Sequence, residues 1–107
     1  MTDPNQAIEF IYRQAPSYAK AKSERVYLEE FRKTKKALLM GQSGAKTAAE
    51  REQYAYAHDE YQALLNGLRA AIETEEALRW QLVAAQAKVE IWRTESANNR
   101  RMDRATA

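Results

Sequence analysis

The amino-acid sequence predicts an all-α protein, and two observations carry that prediction. Only three glycines and two prolines interrupt the 107 residues, and helix-favouring residues such as alanine, glutamate and lysine are abundant between them. A long apolar pattern with helical spacing runs through the second half, and no alternating β-branched pattern of a strand occurs. We expect one domain with a short N-terminal helix, followed by an antiparallel helical hairpin with a long, coiled-coil-like C-terminal helix.

Start and stop signals divide the chain into four predicted helices. Asp3-Pro4 favours a helix start, whereas Pro16 should end the first helix because proline has no backbone N–H to donate. Thr47 and Glu50 form a capping box, which begins a helix after the "GQSGAK" loop. The predicted helices cover about 4–15, 18–40, 48–57 and 60–101, with a loop at 41–46.

The strongest pattern lies on the last helix, where alternating steps of three and four define a face that we call the packing face. Its ten positions are Tyr61, Leu64, Leu68, Ala71, Glu75, Leu78, Leu82, Ala85, Val89 and Trp92, of which only Glu75 is charged. This 3.5-residue spacing is typical of coiled coils. We therefore expect a homo-oligomer, with a dimer as the simplest form, whose interface is built from Tyr61, Leu64, Leu68, Leu78, Leu82, Val89 and Trp92.

The charges of the two main helices are opposite. Residues 17–40 carry seven lysines and arginines against three glutamates, a net of +4, and residues 47–92 carry four against eight acidic residues, a net of −4. Such helices attract along their flanks and favour an antiparallel pair, although each exposed pair contributes only about 0–1 kcal/mol. Glu75 should pair with a cation such as Lys35 or Arg79, or fix the register of an oligomer.

Catalytic chemistry has little support in the sequence. His58 is the only histidine and is expected to be a cap or surface residue, and no Glu-x-x-His pairs of a di-metal bundle occur. The "GQSGAK" loop lacks the spacing and ending of a phosphate loop. We predict no catalytic residue, metal or cofactor, and therefore a protein that is not an enzyme. Without cysteines, a signal-peptide pattern or a membrane-spanning apolar run, a cytoplasmic location is expected.

Nucleic-acid binding is suggested by basic residues on two helices. The net charge of +2 excludes a polycationic protein but not a local basic face. Three arginines at spacings of seven and four would share one side of the last helix if it continues that far. Asn98 and Asn99 could donate hydrogen bonds to a nucleic acid, and Trp80 or Trp92 could stack on its bases. The candidate phosphate-binding residues are Lys22, Arg25, Arg32, Lys33, Lys36, Arg93, Arg100 and Arg104. The alternative is a solvated helix end, because the helix dipole also favours cations there.

A second functional hypothesis is a protein–protein adaptor or inhibitor that docks its helical surface on an enzyme. Six tyrosines occur in the chain, three of them close together at positions 54, 56 and 61. Tyrosines at the edge of a core and tyrosines of a binding hot spot have the same sequence pattern, so both interpretations stay open.

The segment at residues 67–105 contains "EEALRW", "VAAQAKVEIWR" and "ESANNR", and residues 20–40 read "KAKSERVYLEEFRKTKKALLM". Together these segments resemble small uncharacterised helical proteins of tailed phages and prophages. The resemblance implies an accessory factor of a phage recombination or replication module, acting in the cytoplasm of a bacterial host. Under the adaptor or inhibitor hypothesis, the bound enzyme would then be a host or phage enzyme. It implies no catalytic residues, because that group has no assigned activity.

Overall fold

A computed structural model describes residues 3–106 and contains three α-helices in that range. Helix α1 spans Pro4–Gln42, α2 spans Ala48–Ala57 and α3 spans Asp59–Thr106. No strand occurs among these residues. The all-α class predicted from the sequence is therefore confirmed.

The predicted helix break at Pro16 is wrong, because α1 continues through this residue. A proline inside a helix removes one hydrogen bond and crowds the preceding turn, at a cost of about 3 kcal/mol. The reason for continuity lies in the spacing of the covered residues, which follows alternating steps of four and three across the proline without a change of phase. The buried or half-buried positions in this series are Ala7, Ile11, Gln14, Tyr18, Ala21, Arg25, Leu28, Arg32, Lys35 and Leu39.

The chain divides into two compact units, and Lys20–Glu75 forms unit 2. Its core contains Leu39, Ala55 and Tyr61, with Met40 and Leu65 packed against them. Since these residues come from all three helices, the short α2 is held to α1 and α3 by apolar contacts.

The ends of α2 are fixed by local hydrogen bonds. The Thr47 hydroxyl accepts a hydrogen bond from the Glu50 N–H at 3.2 Å, which caps the first turn. At the other end, His58 separates α2 from α3 and its Nδ1 accepts a hydrogen bond from the Glu60 N–H at 3.0 Å. The Gln62 amide also donates to the Tyr56 carbonyl at 2.7 Å, so the junction is bridged twice.

Ion pairs join the basic part of α1 to acidic residues of α2 and α3 inside unit 2. Arg25 pairs with Glu75, and Lys35 Nζ lies 3.0 Å from Glu60 Oε2. The later residue of α1, Lys35, thus pairs with the earlier residue of α3, Glu60. The two helices therefore run in opposite directions over this part of unit 2.

Unit 1 combines the start of α1, up to Ala19, with α3 from Glu76 onward. Ala7 of α1 and Ala85 of α3 are buried, and Val89 is half-buried. Helix α3 reaches Thr106, five residues beyond the predicted end at 101, because no glycine or proline follows Gly67.

The packing face of α3 is covered within a single chain. Tyr61, Leu68 and Ala85 are buried, and Leu64, Leu78 and Leu82 are half-buried. A second subunit could not cover the buried side chains without displacing residues of the same chain. Among the predicted interface residues Tyr61, Leu64, Leu68, Leu78, Leu82, Val89 and Trp92, only Trp92, 36% exposed, is not at least half-buried in the single chain. A homo-oligomer built on this face stays a prediction.

Candidate nucleic-acid interface

Arg25 is held inside unit 2 by two glutamates. Its Nε and Nη2 donate to the two carboxylate oxygens of Glu75, the second at 3.0 Å, and its Nη1 donates to Glu29 Oε2 at 3.1 Å. The Glu75 side chain is 8% exposed. The hydrogen bonds with Glu75, followed by those with Glu29, raise the pKa of Arg25 above its ordinary value. Arg25 is thus engaged by carboxylates, and the prediction that it binds phosphate is corrected on this physical ground.

Lys36 is engaged in a similar way. Its Nζ lies 3.1 Å from Glu52 Oε1 and 4.7 Å from the centre of the Tyr56 ring. Interaction with Tyr56 and then with Glu52 raises the pKa of Lys36, and Lys36 in turn lowers the pKa of Glu52. Lys36 therefore attaches α1 to α2, and it is also removed from the predicted phosphate contacts.

The other basic candidates on α1 are less constrained. Lys33 Nζ lies 3.4 Å from Glu30 Oε2, but both side chains are about 70% exposed, so this pair is weak. Lys22 is exposed and Arg32 is half-buried, and neither has a carboxylate of residues 3–106 within ion-pair distance. Lys22, Arg32 and Lys33 therefore stay available for a ligand, whereas Arg25 and Lys36 do not.

The predicted arginines near the end of the chain lie on one side of α3. Since α3 continues to Thr106, Arg93, Arg100 and Arg104 fall within roughly 40° of one another around the helix axis. We call these three residues the arginine row. Arg93 Nη1 lies 3.3 Å from Glu90 Oε1, and the Arg100 Nε donates to the Ser96 carbonyl at 3.4 Å.

The surroundings of the arginine row are open. Every residue from Asn98 to Thr106 is exposed, and no carboxylate of the described residues lies within ion-pair distance of Arg100, Arg101 or Arg104. Arg93 is paired with Glu90, but the guanidinium groups of Arg100, Arg101 and Arg104 create a local positive potential on the helix, which is the electrostatic property that attracts phosphate.

The tryptophans and asparagines that the sequence suggested as further nucleic-acid contacts lie in different surroundings. Trp80 is 59% exposed, and its ring is covered on one face by the Arg79 guanidinium, with 4.6 Å to the ring centre. Trp92 belongs to the packing face. Asn98 and Asn99 are exposed, but their positions on the helix turn them away from the arginine row.

His58 has a structural role in this molecule. Besides capping α3, its ring makes an edge contact with Tyr54, with 5.6 Å between centroids. Its Nδ1 lies 4.0 Å from Glu60 Oε2. Among residues 3–106, no group of three or more histidine, aspartate or glutamate side chains is placed to hold a metal ion.

A second apolar face on α3 was missed by the sequence reasoning. Trp80, Val83, Ala87 and Ile91 follow steps of three, four and four, and they point away from the packing face. Trp80 and Ile91 are more than half exposed, and Val83 is 39% exposed. Steps of three and four locate this face in the sequence as well, but its four apolar positions form a weaker pattern than the ten positions of the packing face.

Comparisons with known proteins gave no relative from which a function could be transferred. No family model matches this sequence, and neither a curated protein nor a solved structure is similar to it. No helix in the described part of the chain is long and apolar enough to span a bilayer.

Proposed function

We propose that this protein is a non-enzymatic accessory protein that associates with nucleic acid, with the arginine row as its principal contact. The observation that supports this proposal is the difference between the two basic regions. On α1, Arg25 and Lys36 are neutralised by glutamates of the same chain. Near the end of α3, Arg100 and Arg104 have no such acidic partner among residues 3–106, so their guanidinium groups are available for the negative charge of a ligand.

The proposed contact is electrostatic and independent of base sequence. Arg93 and Arg104 are separated by about 16 Å along α3, at 1.5 Å per residue, so the row can reach several successive phosphates of one strand. Lys22 and Lys33 are further exposed cations that could add to the positive field. A phage recombination or replication module in a bacterial cytoplasm is the setting that the resemblance suggests.

The proposed architecture behind this activity is an antiparallel helical hairpin with coiled-coil-like packing. The opposite direction of α1 and α3 in unit 2 and the regular spacing of covered residues on both helices support it. Such a scaffold leaves the last turns of α3 free of packing, which makes their arginines accessible.

Binding to fluorescent single-stranded and double-stranded DNA at low and high salt tests this proposal. We expect binding that weakens steeply with salt, and weaker binding for the Arg100→Ala/Arg104→Ala variant. A control that removes two other exposed charges, Lys46→Ala/Arg69→Ala, has the same net charge and should bind like the wild type. Absence of binding at low salt would contradict the proposal and favour the adaptor hypothesis.

A further inference from the structure

The second apolar face of α3 is unusual for the exposed side of a helix. It presents Trp80, Val83, Ala87 and Ile91 on one side over three turns. The exposed fractions of Trp80 and Ile91 are 59% and 51%. Contiguous apolar surface of this kind is commonly covered by another macromolecule.

The spacing of this face suits a partner that is itself a helix. Large side chains, Trp80 and Ile91, lie at its two ends, and the small residues Val83, Ala84 and Ala87 lie between them. Small residues at the centre let two helix axes approach closely, while the large ones can pack around the ends.

The charges beside this face select the partner. Reading along α3, the flanking residues Glu76, Arg79, Glu90 and Arg93 alternate in sign. They already form two pairs within the helix, with Arg79 Nη2 at 2.9 Å from Glu76 Oε2 and Arg93 Nη1 at 3.3 Å from Glu90 Oε1. All four side chains are more than 40% exposed, so they can also contact a neighbouring helix.

We propose that the second apolar face binds a second copy of this chain, with the two α3 helices antiparallel. Along α3 the four flanking charges are negative, positive, negative and positive. In an antiparallel second copy this order is reversed, so each charge meets one of opposite sign. When Trp80 packs against Ile91 of the second copy, Arg79 lies opposite the glutamate at position 90 and Glu76 opposite the arginine at position 93, and twofold symmetry repeats each contact.

A parallel arrangement in register lacks this complementarity. Twofold symmetry would then turn the flank that carries these four charges toward the opposite flank of the second copy, so Arg79 and Glu90 would not meet. The inference goes beyond nucleic-acid binding and does not depend on it, because Arg100 and Arg104 lie outside the contacting segment 76–93. Arg93 alone belongs both to the arginine row and to this segment.

Sedimentation equilibrium of the full chain tests the self-association. We expect a dimer for the wild type and a monomer for the Trp80→Lys/Ile91→Lys variant. Helicity should be unchanged, because both side chains are already exposed in the single chain. The matched control Val26→Lys/Leu38→Lys replaces exposed apolar residues of α1 in unit 2 and should stay dimeric. A monomeric wild type, or equal weakening by both variants, would overturn the proposal.

A charge exchange tests the predicted register. Arg79→Glu should weaken the dimer by roughly tenfold or more, because two like-charged contacts appear across the interface. Adding Glu90→Arg should restore it. The double variant does not restore the pairs with Glu76 and Arg93 within each helix, so recovery reports on the interface alone. Failure to recover would contradict the antiparallel register.

Distance measurement by electron spin resonance tests the orientation. The chain has no cysteine, so Met102→Cys provides a single labelling site. With the twofold axis between residues 85 and 86, the labels should lie about 50 Å apart, at 1.5 Å of rise per residue. A parallel dimer would bring them within about 20 Å, given helix axes 8–10 Å apart, and that result would overturn the proposal.

Discussion

At the scale of single residues, the most informative group is Glu75, the only charged position of the packing face. The sequence predicts a salt bridge with Lys35 or Arg79 or a role in oligomer register, and the structure shows that Arg25 binds both of its carboxylate oxygens. Lys35 pairs with Glu60 instead. A polar pair at matching positions of two apolar faces favours one alignment of the helices, because any shift leaves a buried carboxylate without its cation.

Replacement of either member of this pair should destabilise the protein. Arg25→Met removes the guanidinium that binds the buried Glu75 carboxylate, and Glu75→Leu leaves Arg25 with Glu29 as its remaining acidic partner. Both should lower the thermal unfolding midpoint, and Arg25→Met should lower it more, because Glu75 is the more buried of the two groups. The double variant should recover to the wild-type value or exceed it, because apolar residues of similar size can pack there. Calorimetry of the four proteins measures the coupling, and additive effects of the two substitutions would contradict the account.

The acidic partners of Lys35 and Lys36 give a pH dependence with a definite sign. Lys36 lowers the pKa of Glu52, and Lys35 lowers the pKa of Glu60. Each carboxylate thus binds its proton less readily in the folded chain than in the unfolded one. The stability that each ionised glutamate contributes is complete above the ordinary glutamate pKa of about 4.3. It is lost as the pH falls through the lowered pKa of that glutamate in the folded chain.

The unfolding midpoint should therefore fall when the pH is lowered from about 6 to about 3, where glutamates become protonated. The Lys35→Met/Lys36→Met variant should show a smaller fall, since its glutamates have lost the cations that lower their pKa. Thermal melts followed by circular dichroism at several pH values measure both slopes. Equal slopes for the two proteins would show that these pairs do not contribute.

At the scale of the elements, α1 is the case in which a local rule and a longer pattern disagree. Proline predicts a helix end at residue 16, but the covered positions keep their spacing on both sides of it. Packing over the whole helix outweighs one lost hydrogen bond and one crowded turn. Pro16 itself is exposed, so its ring does not disturb the packed side.

Pro16→Ala should consequently stabilise the protein. Alanine restores the missing hydrogen bond, and we expect the free energy of unfolding to rise by about 1–3 kcal/mol, less than the full proline cost because the unfolded chain also gains freedom. Ser17→Ala is the neighbouring control and should change it by less than about 0.5 kcal/mol. Denaturant titration measures both variants, and a loss of stability in Pro16→Ala would indicate that the proline fits a local distortion.

The same elements show what the sequence can and cannot predict. The all-α class and the packing face of α3 could be read from spacing, because apolar residues dominate that face. The matching face of α1 could not be read in this way, because the polar residues Gln14, Arg25 and Lys35 occupy covered positions and interrupt its apolar periodicity. Likewise, the basic side chains of α1 look alike in the sequence, and only the structure separates Arg25, which is held by carboxylates, from Lys22, which is exposed.

At the scale of the whole molecule, two surfaces remain after the helices have packed. One is the arginine row, whose positive charge is not neutralised near the end of α3 among the described residues. The other is the second apolar face around Trp80 and Ile91. We propose nucleic acid for the first and a second copy of the chain for the second. Arg100→Ala/Arg104→Ala changes no residue of the second apolar face, and Trp80→Lys/Ile91→Lys replaces no residue of the arginine row.

The most direct test of the central claim is the salt dependence of DNA binding. For the wild type, the logarithm of the affinity should fall linearly with the logarithm of the salt concentration. Loss of two phosphate contacts in Arg100→Ala/Arg104→Ala should reduce the magnitude of that slope by about 1.4–1.8, since each contact contributes about 0.7–0.9. Fluorescence anisotropy titrations measure both slopes. A variant with the same slope as the wild type, or a wild type that does not bind at low salt, would contradict the assignment of the arginine row to nucleic acid.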